Sequence, residues 1–472
     1  MFQRIMIANR GECAIRIQRS CRELGIETVA IFSEADSHAL HVKKADQAVL
    51  IGPDPVKSYL NIHRLIDIAL KTGCDAVHPG YGFLSENADF ARKVTQAGLT
   101  YIGPGADAID NMGNKTKARA AMVAAGIPIT PGSESSLEDV DQALTIANQM
   151  GYPIMLKAAA GGGGRGIRRC DNDDELRENF MITGREAMAA FGSDELFMEK
   201  CIVDPRHIEF QILADSHGNV VHLFERDCSI QRRNQKLIEL APSNFLDDDL
   251  RQQMGEVAVR AAQAVNYVNA GTVEFLVDHN HNFYFMEMNT RLQVEHTITE
   301  AITGIDIVSE QIRIADGEVL GYGQSDISHR GFAIEFRINA EDPKNGFFPT
   351  PGQITRYHSA GGPGVRIDGC VYAGYEIPTY YDSMCAKLTV WGLTWPQAVR
   401  RALRALNEYD IRGIKTTLPL YRNIVASEAF SSGEFNTGFM EQHPELLDYK
   451  PYERREDIAA AVAAAIATHL GL

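Results

Sequence analysis

The sequence predicts a multidomain chain of α/β and α+β type: a doubly wound N-terminal domain, a central domain built from strand hairpins, and a C-terminal domain of mixed β structure. Three observations carry this. At 472 residues the chain exceeds what one core organises and suggests roughly two to four domains. Over the first hundred residues short apolar strands alternate with helices, the pattern of a parallel sheet covered on both faces. After Gly113 that alternation stops, and beyond residue 206 strands follow one another through tight turns.

Taken in order, "RIMIA" (4–8) reads as the first strand and residues 11–24 as a helix that Gly25 ends. The strands "TVAIF" (28–32) and "QAVLIG" follow, then the helix "NIHRLIDIALKTG", the strand "CDAVHPG", a helix over residues 87–97 and the strand "LTYIG". The first turn, "ANRGECA", lacks GxGxxG and gives no dinucleotide site. A helix near residues 115–125 leads through "GIPITPGS" to a unit spanning about residues 135–201, which holds a run of four glycines. "HIEFQILAD", "VVHLFERD", "TVEFLVD" and "FYFMEMNTR" read as antiparallel strands, the last two joined by the turn "DHNHN" (278–282). From about His329 come "GFAIEFRINAED", the stretch "FFPTPGQ", further strands to about Trp391 and the helix "PQAVRRALRALNEY". Near the end, Ile458, Val462, Ile466 and Leu470 recur every fourth position. This narrow apolar stripe is expected to pack on the body of the chain, with docking on a partner protein as the alternative.

Composition narrows the function. No apolar run reaches the roughly 18–20 residues of a membrane span, and the N-terminus lacks a signal-peptide pattern, so a cytoplasmic protein is expected. A formal net charge of -16 disfavours nucleic acid as the main partner. The eight cysteines are scattered without a CxxC pair, which reads as reduced, mostly buried thiols; Cys228 alone sits among candidate site residues.

Two stretches carry chemistry. In "LKAAAGGGGRGIRR" (156–169) bare backbone sits beside Lys157 and three arginines. Gly161, Gly163 and Gly166 match GxGxxG, but no helix opens directly after them, and no Lys-Ser/Thr follows for a P-loop. A hairpin offering amides to phosphates and a plain surface loop both remain open. In "FMEMNTRLQVEH" (285–296) the odd positions Glu287, Asn289, Arg291, Gln293 and Glu295 are polar, and an extended segment turns them to one face. The neighbouring "GTVEFLVD" is apolar on both faces apart from Glu274, and a buried carboxylate there needs a cation. A hairpin that brings Glu274 and Glu287 together, with Asn289, offers hard oxygens to Mg²⁺. With the dispersed lysines Lys115, Lys157, Lys200 and Lys236 this makes an ATP site without a Walker motif. In "RDCSIQRRNQK" (226–236) the density of arginines fits an anionic substrate held beside the nucleotide.

Together "HPGYGFLSEN", "GNKTKAR", "KAAAGGGGRG", "RDCSIQRR", "EMNTRLQVEH", "EFRINAEDP" and "YYDSM" resemble the biotin carboxylase family, whose fold is ATP-grasp. The resemblance runs from the first strand to about residue 445. It implies an N-terminal domain over 1–114, an ATP-grasp domain over 115–330 with a mobile glycine-rich lid at about 135–201, a C-terminal domain over 331–445, and a tail over 446–472. The chain looks like a free-standing biotin carboxylase subunit, without a Met-Lys-Met biotin site or a carboxyltransferase. The family uses ATP with Mg²⁺ (or Mn²⁺) to phosphorylate bicarbonate, and the carboxyphosphate yields CO₂ at the ureido nitrogen of biotin.

By resemblance, Lys115, Lys157, Gly163, Gly164, Glu199, Lys200, His207, Gln231, Asn234 and Leu276 match nucleotide-binding positions, and Glu274, Glu287 and Asn289 the metal positions. Lys236, Arg291, Gln293, Val294 and Glu295 match the bicarbonate pocket, with Glu295 as base. Arg337 matches the residue that stabilises the biotin enolate, and Tyr81 lies beside biotin. Asn234 replaces a histidine usual in the family, and Thr297 stands where acetyl-CoA carboxylase members show proline. That threonine looks more like two-subunit pyruvate carboxylase and related 2-oxoacid carboxylases. The implied partners are a second copy of the chain, through Arg19, Glu23 and Arg366, and a biotin carboxyl carrier protein or biotin-bearing carboxyltransferase subunit. A ligase joining a carboxylate to an amine through an acyl phosphate is the competing reading.

Overall fold

The computed structural model describes residues 1–133, 135–159, 166–449 and 455–470. The N-terminal sheet is parallel, with β1 (Arg4–Ile7), β2 (Glu27–Ser33), β3 (Gln47–Gly52), β4 (Ala76–His78) and β5 (Thr100–Tyr101) in the order β3-β2-β1-β4-β5. Alternate residues of β1 enter different cores. Met6 packs with Val29, Ile31 and Val77 on one side, while Ile5 and Ile7 pack with Ile17 of the helix Gly11–Glu23 on the other. A sheet apolar on both faces is a doubly wound sheet, as the alternation of elements predicts.

A small antiparallel sheet follows, with β6 (Ile154–Ala158) between β7 (Ile167–Cys170) and β8 (Leu196–Lys200). The helices Val140–Met150 and Asp173–Phe191 back it, each capped by a side chain, Asp139 and Asn172, that accepts from a first-turn amide. The glycine run lies outside the described residues.

The site is carried by an eight-stranded antiparallel sheet. Its first six strands in spatial order are β13 (Phe283–Asn289), β12 (Asn269–Val277), β9 (Arg206–Ala214), β10 (Val220–Arg232), β11 (Gln235–Ala241) and β14 (Phe332–Asn339). The strands Met384–Gly392 and Val365–Gly369 complete it. It crosses the boundary at residue 330 that the sequence suggests, because β11 pairs with β14 from Ile238–Phe336 to Ala241–Ala333. One face is apolar: Ile208, Phe210, Ile212, Val273, Phe275 and Met288 pack under the helix Asp248–Ala264.

Three expectations are corrected here. "VVHLFERD" is only the first part of β10, which runs on through "CSIQR" and turns at Arg233 and Asn234 into β11. Both turn residues have positive φ, 48° and 62°, as a tight hairpin requires, and asparagine tolerates that region better than most residues. The segment 285–296 is extended only to Asn289; residues 290–295 turn into the helix His296–Thr303. The terminal helix Arg455–Leu470 forms, yet Val462, Ile466 and Leu470 are exposed rather than packed on the body. Among the described residues no helix is long and apolar enough to cross a membrane.

Candidate active site

The polar face of the large sheet begins as a row of like charges. Glu274 on β12 stands opposite Glu209 on β9 and opposite Glu287 on β13. Like charges facing one another across strands are destabilising, so the row demands cations. Thr272 and Leu276 share the face of Glu274, with His207 and Gln211 beside them on β9. The second face of "GTVEFLVD" is therefore a polar floor, not the apolar surface its own residues suggest.

Lys236 on β11 supplies the central cation. Its Nζ donates to Glu209 Oε2 at 2.6 Å, Glu274 Oε1 at 3.1 Å and Glu295 Oε1 at 2.6 Å. Each carboxylate has a further partner: Arg226 Nε at 2.5 Å for Glu209, His207 Nε2 at 2.8 Å for Glu274, and Arg337 Nη2 at 3.0 Å for Glu295. Burial opposes these negative charges, but Lys236 and its neighbours prevail and hold Glu209, Glu274 and Glu295 below the ordinary carboxylate range. Burial also opposes the ammonium of Lys236, yet the surrounding acidic groups raise it well above the usual lysine value.

Glu287 behaves differently. Burial, then the charge of Glu274, pushes it up, with Lys115 opposing. Among the described residues it has no hydrogen-bond partner within 3.5 Å. An uncompensated carboxylate beside a second one is the donor set a hard divalent cation takes, so these two residues fit Mg²⁺. Asn289 presents its amide nitrogen to Glu274 Oε1 at 2.8 Å and its oxygen to Arg291 at 3.0 Å, so it would have to turn that amide to act as an oxygen ligand.

Segment 290–295 enters this floor by a turn. Arg291 donates to Gln293 Oε1 at 2.8 Å and pairs with Glu86 at 2.9 Å, while Gln293 Nε2 donates to Glu274 Oε1 at 3.3 Å. The Val294 carbonyl accepts from Lys387 Nζ at 2.7 Å. Arg337, on β14, also donates to Glu239 Oε1 at 2.6 Å. Burial lifts Glu239 to about 7 even so. The buried Tyr81 hydroxyl has no hydrogen-bond partner among the described residues, and its ring centroid lies 5.7 Å from Lys387 Nζ.

A second cluster sits on the small sheet, where Lys157 pairs with Glu199 and Arg119 reaches the same carboxylate at 3.2 Å. Lys115 lies between the clusters: burial lowers it, while Glu287 on one side and Glu199 on the other draw it up. Lys200 is turned away, donating to the carbonyls of Gly151 and Tyr152 at 2.8 and 3.0 Å. Gln231 is buried opposite Lys236, Leu276 stands opposite His207, and Asn234 is exposed at its turn. Gly163 and Gly164 lie outside the described residues. Arg19 and Arg366 pair within the chain, with Asp368 at 2.6 Å and with Glu300 and Asp368 at 2.6 Å, and they line one surface cavity with Glu23.

The arginine-rich run does not make an anion pocket. Arg226 is fully buried among Glu209, Gln211, Thr272 and Thr299, and Arg232 lies over Phe347, so of its basic residues only Arg226, bound to Glu209, and Lys236 join the carboxylate network. Cys228 Sγ is 4.0 Å from Glu295 Oε1, and burial pushes its thiol far up, as suits an inert thiol. Sequence reasoning missed Glu86, Arg119, Glu209, Glu239 and Lys387. The signal for Glu209 was present: before its terminal aspartate "HIEFQILAD" holds one carboxylate among largely apolar residues, as "GTVEFLVD" does.

Three family models match: the biotin carboxylase N-terminal domain over residues 1–109, the carbamoyl-phosphate synthase L chain ATP-binding domain over 114–322, and the biotin carboxylase C-terminal domain over 335–442. The 2-oxoglutarate carboxylase small subunit of Hydrogenobacter thermophilus is 52% identical over 472 residues, 100% of both chains. A pyruvate carboxylase subunit of Methanothermobacter thermautotrophicus is 52% identical over 449 residues, 95% of this chain and 91% of that protein. The crystal structure of the Hydrogenobacter thermophilus 2-oxoglutarate carboxylase biotin carboxylase domain dimer, in complex with MgADP, ADP and bicarbonate, matches with a TM-score of 0.93. It is 53% identical and covers 96% of this chain and 100% of that one. A chain half identical to such relatives from end to end, matched by both of the family's own terminal domains, belongs to the biotin carboxylase family.

Proposed function

We propose that the protein carboxylates biotin held on a carrier, using ATP and bicarbonate, through a carboxyphosphate intermediate. The observation that carries this reading is the single ammonium of Lys236 tying the Glu209–Glu274 row to Glu295, whose other oxygen meets Arg337. That chain of contacts joins a metal-nucleotide end to a biotin end within hydrogen-bond reach. Glu274 and Glu287 hold Mg²⁺, and Lys115, Lys157 and His207 face the nucleotide. The metal, when bound, neutralises charge on the phosphate oxygens. Lys236, Arg291, Gln293 and the backbone of Val294 hold bicarbonate, and Glu295 takes its proton. An ionised Glu295, kept so by Lys236 and Arg337 against its burial, suits a base. Carboxyphosphate splits into CO₂ and phosphate, the phosphate takes the ureido N–H proton, and Arg337 stabilises the negative charge left on the biotin ureido oxygen as the nitrogen bonds to CO₂. These are fixed charges aimed at charge that develops during reaction. ADP release that depends on bicarbonate, with carboxybiotin formed from added biotin, tests the reading. Turnover indifferent to bicarbonate would favour a carboxylate–amine ligase instead.

As to the final acceptor, we propose that the chain belongs to a two-subunit pyruvate carboxylase, working as a homodimer with a biotin-bearing carboxyltransferase subunit. Thr297 and the relative named for pyruvate carboxylase support it. A second reading, 2-oxoglutarate as acceptor, is favoured by the 100% mutual coverage with the 2-oxoglutarate carboxylase small subunit. Purifying the biotin-bearing partner from the source cell and supplying each 2-oxoacid in turn separates them.

A further inference from the structure

Two residues beyond Glu295 stands Thr297, and two residues before Arg337 stands Glu335. Thr297 lies in the first turn of the helix His296–Thr303, and Glu335 lies on β14. Thr297 Oγ1 donates to Glu335 Oε2 and lies 2.6 Å from Thr389 Oγ1. Glu335 and Thr389 are themselves opposite one another across β14 and the strand Met384–Gly392. All three side chains are buried, none more than 2% exposed. A threonine hydroxyl has one proton. Thr297 gives its proton to Glu335, so Thr389 must donate to Thr297, and the chain runs Thr389 to Thr297 to Glu335.

The same two segments are thus joined twice. One rung is Glu295 to Arg337 at 3.0 Å, between groups that must each let go to meet a substrate. The other is Thr297 to Glu335, whose side chains hydrogen-bond to none of the site's charged groups among the described residues. We propose that Thr389, Thr297 and Glu335 form a positioning clamp that locks the start of the helix to β14, so that the separation of Glu295 and Arg337 persists while both engage their substrates. The inference rests on the roles given to those two residues above. Its consequence is coupling: the one-carbon species released beside Glu295 is captured by biotin beside Arg337 rather than lost to water.

The chemistry of the acid supports the clamp. Burial holds Glu335 well above the ordinary carboxylate range, and Glu239 adds to this against the pull of Lys387. Its Oε1 has no hydrogen-bond partner among the described residues, a place where negative charge would stand uncompensated. Burial thus favours the uncharged form, whose Oε2 accepts a hydrogen bond from Thr297 Oγ1. Displacing a reacting group by about 1 Å can cost on the order of 10²-fold in rate, so a fixed spacing matters.

The test uses the intact protein with saturating free biotin and reads carboxybiotin formed per ATP cleaved, together with the KM for ATP. Thr297→Val keeps the shape and removes the donor; Thr297→Ser keeps the donor. For T297V the ratio is expected to fall about tenfold with KM for ATP unchanged within about twofold, and T297S is expected to restore it. A ratio equal to wild type in T297V overturns the clamp alone. So does a loss that raises the KM for ATP in step and that serine does not rescue, since this marks general damage. If T297V does not fold, Thr389→Val breaks the chain from its other end and must lower the same ratio. Wild-type protein that cleaves ATP without making carboxybiotin overturns the functional reading, and the clamp with it.

Discussion

Lys236→Met is the most informative single change, because one ammonium touches three buried carboxylates. Methionine keeps most of the volume, so the loss is electrostatic rather than a cavity. Breaking a buried ion pair by removing one partner costs about 3–5 kcal/mol. Here each carboxylate keeps a second partner: Arg226 for Glu209, His207 for Glu274 and Arg337 for Glu295. That backing places the expected cost near the lower end, about 3 kcal/mol at pH 8. The cost also depends on pH. In the wild type the three carboxyls titrate below their ordinary value of 4.5, so they contribute stability above it that is lost as the pH falls through the lowered values. Without Lys236 they take up protons more readily, and the gap between variant and wild type narrows as the pH falls from 7 towards 4.5. Urea unfolding followed by the fluorescence of Trp391, on the same sheet, at pH 8 and pH 5 reads this directly. Turnover is expected to fall by about 10²–10³. A variant as stable as wild type at pH 8, or a gap that ignores pH, would refute the account of Lys236 as the compensating charge.

Three further outcomes are expected. Glu287→Gln removes a proposed metal ligand, so magnesium-dependent ATP cleavage is expected to fall by at least about 10² while the thermal midpoint holds or rises, the lost charge being uncompensated; wild-type turnover in the variant would contradict the metal assignment. Arg337→Ala is expected to lower biotin carboxylation by about 10²–10³ and bicarbonate-dependent ATP cleavage far less, with equal losses counting against its role at biotin. Burial lowers His41 and His222 to about 4 and His78 to about 3, against 6.5 when unfolded. These three therefore protonate first in the unfolded chain and remove stability as the pH drops from 6.5 towards 4, against the opposite pull of Glu239 and Glu335, which protonate first in the folded chain; His222→Gln is expected to shift the pH dependence of the thermal midpoint between pH 6.5 and 5 towards greater stability at the acid end, and an unchanged dependence would contradict it.

What could be read from the sequence followed short-range pattern, and what could not depended on which strands become neighbours. The pairing of Glu274 with Glu287 needs only a hairpin, whose turn is visible in "DHNHN". The alternation of residues 285–296 gathers the right polar groups although the strand stops at Asn289. Arg291 and Gln293 reach back because their side chains bond to Asn289 and Glu274, not because the backbone stays extended. The β10–β11 hairpin was hidden by its own charges, since "RDCSIQRRNQK" looks like a basic patch until Arg226 is seen folded against Glu209. Glu239 could not be placed without the strand order, and Glu209, although its strand marks it as a carboxylate in need of a cation, could not be set beside Glu274 without it. β9 arrives beside β12 and β14 beside β11 through long connections that leave no local mark.

The pairing within the site also constrains how an anion enters it. Lys157 is held by Glu199, Lys236 by three carboxylates, Arg337 by Glu239 and Glu295, and Arg291 by Glu86. These cations are not waiting for a ligand; each is already compensated, so an incoming anion gains only by displacing a carboxylate. Which one gives way follows from solvation. Glu209, Glu239 and Glu295 are fully buried and would be stranded without water, at a cost of several kcal/mol each. Glu86 is 45% exposed, so it can surrender Arg291 to solvent at a surface-pair cost of about 1 kcal/mol or less. Arg291 is therefore the cation most cheaply recruited by a small anion, and Lys236 becomes available only as the charge on Glu274 is taken up elsewhere. With the site assignment proposed above, the charges set an order: cation and nucleotide at Glu274 and Glu287 first, the one-carbon anion at Arg291 and Lys236 after.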